Sequence, residues 1–490
     1  MYLGIDLGTS AVKALLVDAH GAIVDSRSAA LAVNRPHPGW SEQHPEGWWQ
    51  ATNDAVMALR TACPDQMAAV RSIGLSGQMH GLVALDANGD VIRPAILWND
   101  TRTAQQAARL DADMPEFRSI GGNAVMPGFT APKAVWMQEY EPALFAAIAT
   151  ILLPKDYLRF RMSNERCSEM SDSAGTLWLD VARRRWSDAL LSACGLSQDQ
   201  MPRLVEGSEP AGQLRADIAK RWGMEGQPII AGGGGDNVAA AVGLGAVSAG
   251  DGFCSLGTSG VVFTVTDSFA PAAASGAHAF CHAVPDRWHQ MGVILAASDC
   301  VAWLCEVTGA DVGTLMAELD QGNDLVKDTA GDHLMFHPYL SGERTPHNDA
   351  AARGGFFGLA RHHGRADLTR AVLQGVSFAI ADATSVLRDA GGAPKMMMAT
   401  GGGAKNRLWL SYIAAMTGVP IMLPEEGDFG AALGAARLAM MADGMSQDDV
   451  CKKPETKIVI TPDQAMADAL NPSYHRWREI YHLLRQDTKT

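Results

Sequence analysis

Basic residues are in deficit: 40 Lys and Arg stand against 54 Asp and Glu, a formal charge of −14 with a pI near 5.4. A protein that grips nucleic-acid phosphates needs a basic footprint, and no local block supplies one. The same acidic surface is repelled by anionic membranes and suits a small substrate. Long hydrophobic runs are missing too. The longest, Ala143 to Pro154, is too short to cross a bilayer. The first residues, Met1 to Asp6, form no basic segment followed by an apolar stretch, so no secretory leader is expected and the chain reads as cytoplasmic. Eight cysteines occur without a CxxC pair, and Cys300 and Cys305 are the nearest neighbours. They read as reduced thiols packed as small apolar side chains. His278 and His282 have a helical ligand spacing but no thiol or carboxylate beside them, so no metal centre is expected there. With 47% apolar and 19% charged residues, the 490-residue chain is globular, and its length fits two or three domains.

What is present is a duplication. Leu7-Gly8-Thr9-Ser10 recurs as Leu256-Gly257-Thr258-Ser259, an offset of 249 residues (256 − 7). Val12 then matches Val261 and Asp18 matches Asp267 in the same register. Each copy reads as strand, glycine-hydroxyl turn, strand. Elsewhere strand and helix patterns alternate, which argues for an α/β layered architecture. Residues 72–77 and 81–86 read as strands, with Asn88-Gly89 a turn. The segments 228–231 and 396–400 read as short buried strands, the second carrying a methionine triplet that is taken as core rather than a soft-metal site. Helices are expected over 407–417, closed by Gly418, and over 431–443, closed by Gly444. Two domains, 1–247 and 248–490, are expected to meet at a tight joint near 245–251.

Three glycine loops carry the chemistry. A Gly-Thr-Ser turn lets backbone approach a phosphate, while hydroxyls and turn amides donate hydrogen bonds. One such turn is an ordinary hairpin; two in related domains could hold a polyphosphate from both sides. Asp6 ends the apolar strand before the first turn. It is either a strand-end carboxylate bonded to its own turn or a magnesium ligand acting largely through waters. Gly232 to Gly235 precede Asp236 and Asn237 at a helix mouth, where Asp236 is either a helix cap or a general base. Gly401-Gly402-Gly403-Ala404-Lys405-Asn406 also follows a strand and opens a helix, with a shape that suits the flat face of an adenosine. Trp40, Trp48 and Trp49 read as anchors of a proline-rich loop and a helix start rather than as a sugar platform. His80 alone reads as a core histidine.

Together these loops resemble the FGGY carbohydrate kinases over essentially the whole chain. Two stretches resemble the family's signatures: Gly128-Phe-Thr-Ala-Pro-Lys133-Ala-Val-Trp136, and Gly354-Gly-Phe-Phe-Gly358-Leu359 with Asp367-Leu368 and Ala371-Val-Leu-Gln374. Gly77-Gln78-Met79-His80-Gly81, Ile96-Leu-Trp98-Asn99-Asp100 and Ser341-Gly-Glu-Arg-Thr-Pro-His347 are most similar to the family's bacterial xylulokinase branch. Glycerol kinases typically carry an Arg-Glu pair where Met79-His80 stands, which argues against glycerol. Two departures are visible: Ala11 stands where Gly or Ser is common, and the glycine run before Asp236 is one residue longer than usual.

The resemblance implies two duplicated actin-like, ribonuclease-H-like α/β domains around a central cleft, an N-terminal one for sugar and the first phosphate loop and a C-terminal one for ATP. It implies Asp236 as catalytic base and Asp6 as the catalytic phosphate-and-magnesium carboxylate. Met79, His80, Asp236 and Asn237 would contact the sugar. Thr9, Ser10, Gly257, Thr258, Ser259, Gly401, Gly402, Gly403, Lys405 and Asn406 would hold ATP. The implied partners are a small sugar and MgATP, without nucleic acid or membrane, and a homodimer is allowed. The implied reaction is transfer of the ATP γ-phosphoryl group to the 5-hydroxyl of D-xylulose. A kinase for another ketopentose or polyol stands as the alternative, and a non-kinase actin-like ATPase as a second.

Overall fold

The computed structural model describes residues 1–320, 334–424 and 430–487, so the last three residues of the expected second domain lie outside the described residues. Its frame is two twisted mixed sheets, each with seven strands among the described residues. The first contains β1 (Tyr2–Leu7), β2 (Ala11–Val17), β3 (Ile23–Ala30), β4 (Ser72–Gly77), β5 (Pro210–Gln213), β6 (Ile229–Ala231) and β7 (Gly234–Gly235). The second contains β8 (Asp251–Leu256), β9 (Gly260–Thr266), β10 (His278–Cys281), β11 (Trp288–Ile294), β12 (Met396–Thr400), β13 (Ile421–Pro424) and β14 (Thr456–Ile460).

The path β3-β2-β1-β4-β6-β5 in the first sheet is repeated as β11-β9-β8-β12-β13-β14 in the second, with β7 beside β4 and β10 as an added edge strand. Strand directions repeat as well. β1 pairs antiparallel with β2 and parallel with β4, and β8 pairs antiparallel with β9 and parallel with β12. The 249-residue offset seen in sequence carries β1 onto β8 and β2 onto β9 at both ends of each strand (251 − 2, 266 − 17). Most of these strands are buried along their length, as parallel neighbours require. The expected strand over 81–86 is shorter, Val83–Leu85, because Leu82 pairs instead with Ile96 as an isolated bridge after the bend at Met79 and His80.

Eight helices matter for the site: α1 (Pro45–Ala62), α2 (Pro154–Ser163), α3 (Met170–Ala174), α4 (Asp236–Gly243), α5 (Arg365–Asp389), α6 (Arg407–Thr417), α7 (Ala431–Ala442) and α8 (Gln464–Asp487). α6 ends at Gly418 with φ +68°, the left-handed turn that glycine adopts without penalty. No single described helix is long and apolar enough to cross a membrane.

The two sheets are joined by an exchange of packing partners. α7 belongs to the second half of the chain, yet it lies on β1 and β4 of the first sheet and across α4. Contact there is backbone to backbone. A Cβ at Gly4 would fall 1.9 Å from the Ala432 carbonyl oxygen, one at Gly74 1.8 Å from that of Ala435, and one at Gly434 1.7 Å from that of Ala239. One apolar cluster accordingly runs through both halves, from Tyr2 and Leu15 through Val238 and Leu433 to Phe253 and Met398.

Gly434→Ala therefore forces two helix backbones apart and should cost about 1–3 kcal/mol or more. Gly47→Ala, at an α1 position with nothing within 4 Å, should leave stability unchanged or slightly higher. Denaturant unfolding of both variants checks this; equal midpoints would contradict the close crossing.

Candidate active site

The first glycine-hydroxyl turn, Gly8 to Ser10, is held from behind by a chain of side chains. Trp48 Nε1 donates to Gln43 Oε1 (2.9 Å), and Gln78 Nε2 donates to the same oxygen (3.0 Å). Thr9 Oγ1 donates to Gln78 Oε1 (3.0 Å) and accepts from the half-exposed indole of Trp98 (3.0 Å), while Gln43 Nε2 donates to the Thr9 carbonyl (2.8 Å). The Thr9 hydroxyl is thus committed to the protein, and Ser10 is exposed. Trp48 and Trp49 are buried, and Trp40 lies 3.5 Å beneath the Arg102 guanidinium, so all three serve the scaffold. The second turn is anchored through its carbonyls: Ala297 N–H donates to Thr258 O (2.8 Å) and Ser298 N–H to Gly257 O (2.9 Å). Thr258 and Ser259 are exposed, with their hydroxyls unpaired among the described residues.

The three glycines of the later loop have different tasks. Gly401 has φ +85°, and a Cβ there would strike the Leu256 carbonyl at 2.7 Å; at Gly403 it would strike Trp409 and Leu256. Gly402 has nothing within 4 Å, so no neighbour in the protein restricts a side chain there. Asn406 caps α6, accepting the Trp409 N–H (2.9 Å), and its Nδ2 meets the Met316 sulfur. This loop lines a cavity of about 620 Å³ together with Asp236, Asn237, Phe253, Lys405 and Pro424.

Asp236 is the first residue of α4, and Gly235 is the cap. Its Oδ1 accepts both the backbone N–H (2.7 Å) and the side-chain amide (3.0 Å) of Asn237. Burial, and then the negative charge of Asp6, pushes its carboxyl up to about 6. Asp6, one residue before the end of β1, is also pushed up by burial, against a hydrogen bond donated by Ser76 Oγ (3.0 Å) and the charge of Lys13. The loop before Asp236 leaves no room for side chains. Cβ atoms at Gly232 and Gly233 would lie 2.2 and 2.1 Å from the carbonyls of Glu206 and Leu75.

Met79 packs against Gly235. His80 follows with φ +68°, an uncommon backbone state for a residue bearing a Cβ. The bend is clamped by Lys133, whose buried Nζ donates to the carbonyls of His80 and Gly128 (2.8 Å each), and by Thr130 Oγ1, which donates to His80 O (3.1 Å). Burial pushes the His80 ring down to about 3, so it is neutral at physiological pH. Nδ1 lies 2.8 Å from the Gly175 carbonyl, which can only accept, so Nδ1 carries the proton and Nε2 keeps its lone pair.

The structure thus places Asp236, Asn237, Gly401 and Lys405 on one cavity, sets Met79 against Gly235, and leaves hydroxyls exposed at both glycine-hydroxyl turns. The motif around Lys133 was visible in sequence, but its clamp on His80 was not. His278 and His282 do not point at a common ion. His278 Nδ1 bonds Asn123 Oδ1 (2.8 Å) across the two halves, and His282 Nε2 bonds Ala246 O (3.2 Å). All eight cysteines are free thiols.

Comparison with known proteins settles the lineage. The model of the FGGY family of carbohydrate kinases, N-terminal domain, matches residues 1–243, and that of its C-terminal domain matches 252–442. The chain belongs to the FGGY family of carbohydrate kinases. This FGGY kinase is 48% identical to the xylulose kinase of Escherichia coli (strain K12), over 99% of each chain. It is 49% identical to the xylulose kinase of Klebsiella pneumoniae, over 90% of each. The crystal structure of a "xyloylose kinase" from Brucella ovis superposes with a TM-score of 0.96 at 51% identity, covering 99% of each chain.

If the neutral His80 ring bonds a substrate hydroxyl, His80→Ala should lower sugar kcat/KM by about 1–3 kcal/mol and leave the KM for ATP unmoved. Parallel losses for both substrates would instead mark the ring as part of the fold.

Proposed function

We propose that this FGGY kinase phosphorylates D-xylulose at its 5-hydroxyl, giving D-xylulose 5-phosphate and ADP. The observation that carries the reading is a half-buried carboxylate, Asp236, facing the cavity beside the Gly401 loop while its own glycine loop packs on Met79 of the Met79-His80 pair. The near full-length likeness to proteins named xylulose kinase supports the choice of sugar.

In this mechanism ATP lies along the cavity with its base near Gly402 and its phosphates between the two turns. Ser10, Thr258 and Ser259 bond phosphate oxygens with their exposed hydroxyls. Asn237 holds the Asp236 carboxylate toward the sugar. As the sugar O5 forms its bond to the γ-phosphorus, Asp236 takes the O5 proton and the bond to the ADP oxygen breaks. A base raised toward 6 is still ionised at neutral pH and is a stronger proton acceptor than an ordinary aspartate. Closure of the halves excludes water, the competing acceptor.

ATP enters as its magnesium complex, and Asp6 would hold that ion. Ser76 takes one of its oxygens, and a cation at Asp6 would offset the negative charge that raises Asp236. Magnesium takes few protein ligands and keeps waters, which fits a single carboxylate. When bound it would neutralise charge on the phosphate oxygens. The second reading, a related ketopentose or polyol as acceptor, is tested by a substrate panel with ATP. Cytoplasmic location and a homodimer are part of the proposal.

Asp236→Asn preserves the bonds to Asn237 in shape but removes basicity, so kcat should fall by roughly 10²-fold or more. In the wild type, sugar kcat/KM should fall as pH drops through about 6, where the carboxylate takes up a proton. A profile flat from pH 5 to 8 would rule Asp236 out as the base. Gly402→Val should raise the KM for ATP without lowering Tm, since nothing in the protein opposes the new side chain; unchanged nucleotide affinity would move adenosine away from this loop.

A further inference from the structure

Between the base and the sugar histidine runs a short segment that the reaction itself does not use, Glu169 to Gly175. It holds both of them. At its start, the Glu169 carboxylate accepts the backbone N–H groups of Ser171 (2.7 Å) and Asp172 (2.9 Å) and the Ser171 hydroxyl (2.9 Å). The Ser171 oxygen in turn accepts the N–H of Gly235 (3.2 Å), the residue immediately before Asp236. At its end, the Gly175 carbonyl accepts the His80 Nδ1 proton (2.8 Å). Five residues of one chain segment, Ser171 to Gly175, therefore span the anchor of the base and the anchor of the histidine.

Beneath this segment lies a set of charges with no exposure at all. Lys155 Nζ sits 2.7 Å from Asp156, 3.3 Å from Glu169 and 3.2 Å from Asp172. Arg159 pairs with Asp156 (2.8 Å) and donates to the carbonyl of Gly232, at the start of the base loop. Ser168 bonds Asp156 (2.6 Å) and Ser173 (2.8 Å). Such a cluster is poor at stabilising a fold, because an apolar core of equal volume does as well or better. What it does supply is direction: each bond fixes an atom on a line, and the lines end on Gly232, Gly235 and Glu169.

We propose that Ser171 is a positioning residue for phosphoryl transfer, fixing the backbone of Gly235 so that the Asp236 carboxylate stands at a set distance from the ring of His80. The proposal rests on the reading of Asp236 as base. The segment Glu169–Gly175 is then the gauge of the site. The loop before the base is nearly all glycine and has little stiffness of its own, so its geometry is borrowed from α3 and the charges below it.

The test is steady-state kinetics with MgATP and D-xylulose on the full chain, in four proteins: wild type, Ser171→Ala, Asp236→Asn and the double variant. Ser171→Ala should lower kcat about tenfold, since small misplacements of a reacting group are costly, with the KM for ATP and Tm near wild type. In the Asp236→Asn background the same substitution should change nothing, because there is no base left to place. Ser171→Cys keeps the packing with a weaker hydrogen-bonding atom; it should fall between, and it carries the test if the alanine variant does not fold. A kcat within twofold of wild type for the folded Ser171 variant, or an equal loss in both backgrounds, overturns the positioning role. Asp236→Asn alone retaining its turnover is a separate result: it removes the base itself, and the positioning role with it.

Discussion

The crossing of α4 and α7 is the contact on which the site depends. It is made of backbone touching backbone at Gly434, and the same helix, α7, meets Gly4 of β1 and Gly74 of β4 in the same way. Dispersion is short-ranged, so surfaces stripped of side chains gain most from shape and lose most from any added atom. The ends of these helices are where the chemistry sits. Asp236 opens α4, and Gly430, immediately before α7, lines the same cavity as Asp236 and Gly401.

Electrostatics divides the cleft into two territories. On one side, burial and the charge of Asp6 raise Asp236, while Lys13 is the cation that acts on Asp6 itself. On the other, the histidine is neutral and the buried Lys133 ammonium faces carbonyl oxygens, held well below its ordinary titration range by burial. The division matches an FGGY kinase, whose two substrates differ most in charge.

Much of this was legible in the chain. A four-residue repeat located two hairpins, and its offset held at both ends of both strand pairs, because a duplicated sheet must keep register to keep its buried faces. Helix ends at Gly418 and the strand leading to Gly401 followed from local rules. What escaped was long-range. Nothing near Gly4 or Gly74 announces that a helix over four hundred or three hundred residues away will lie on them; in sequence they are only weak points in a strand. The ionic set around Lys155 draws on two helices and a strand, and its members look like ordinary surface charges when read singly. The side chain of Asn406, expected beside the nucleotide, also caps α6, since a glycine loop that opens a helix needs an N-cap at that same place.

The exchanged helix also imposes an order on the protein's birth. Gly243 and Ala442 are separated by about 200 residues (442 − 243 = 199), some tens of seconds of synthesis at ~5–20 residues per second. Through that interval the first sheet has its strands but not the helix that covers Gly4 and Gly74. The half of the chain that is made first is therefore the last to be finished, and it waits with a smooth apolar face turned toward the cell.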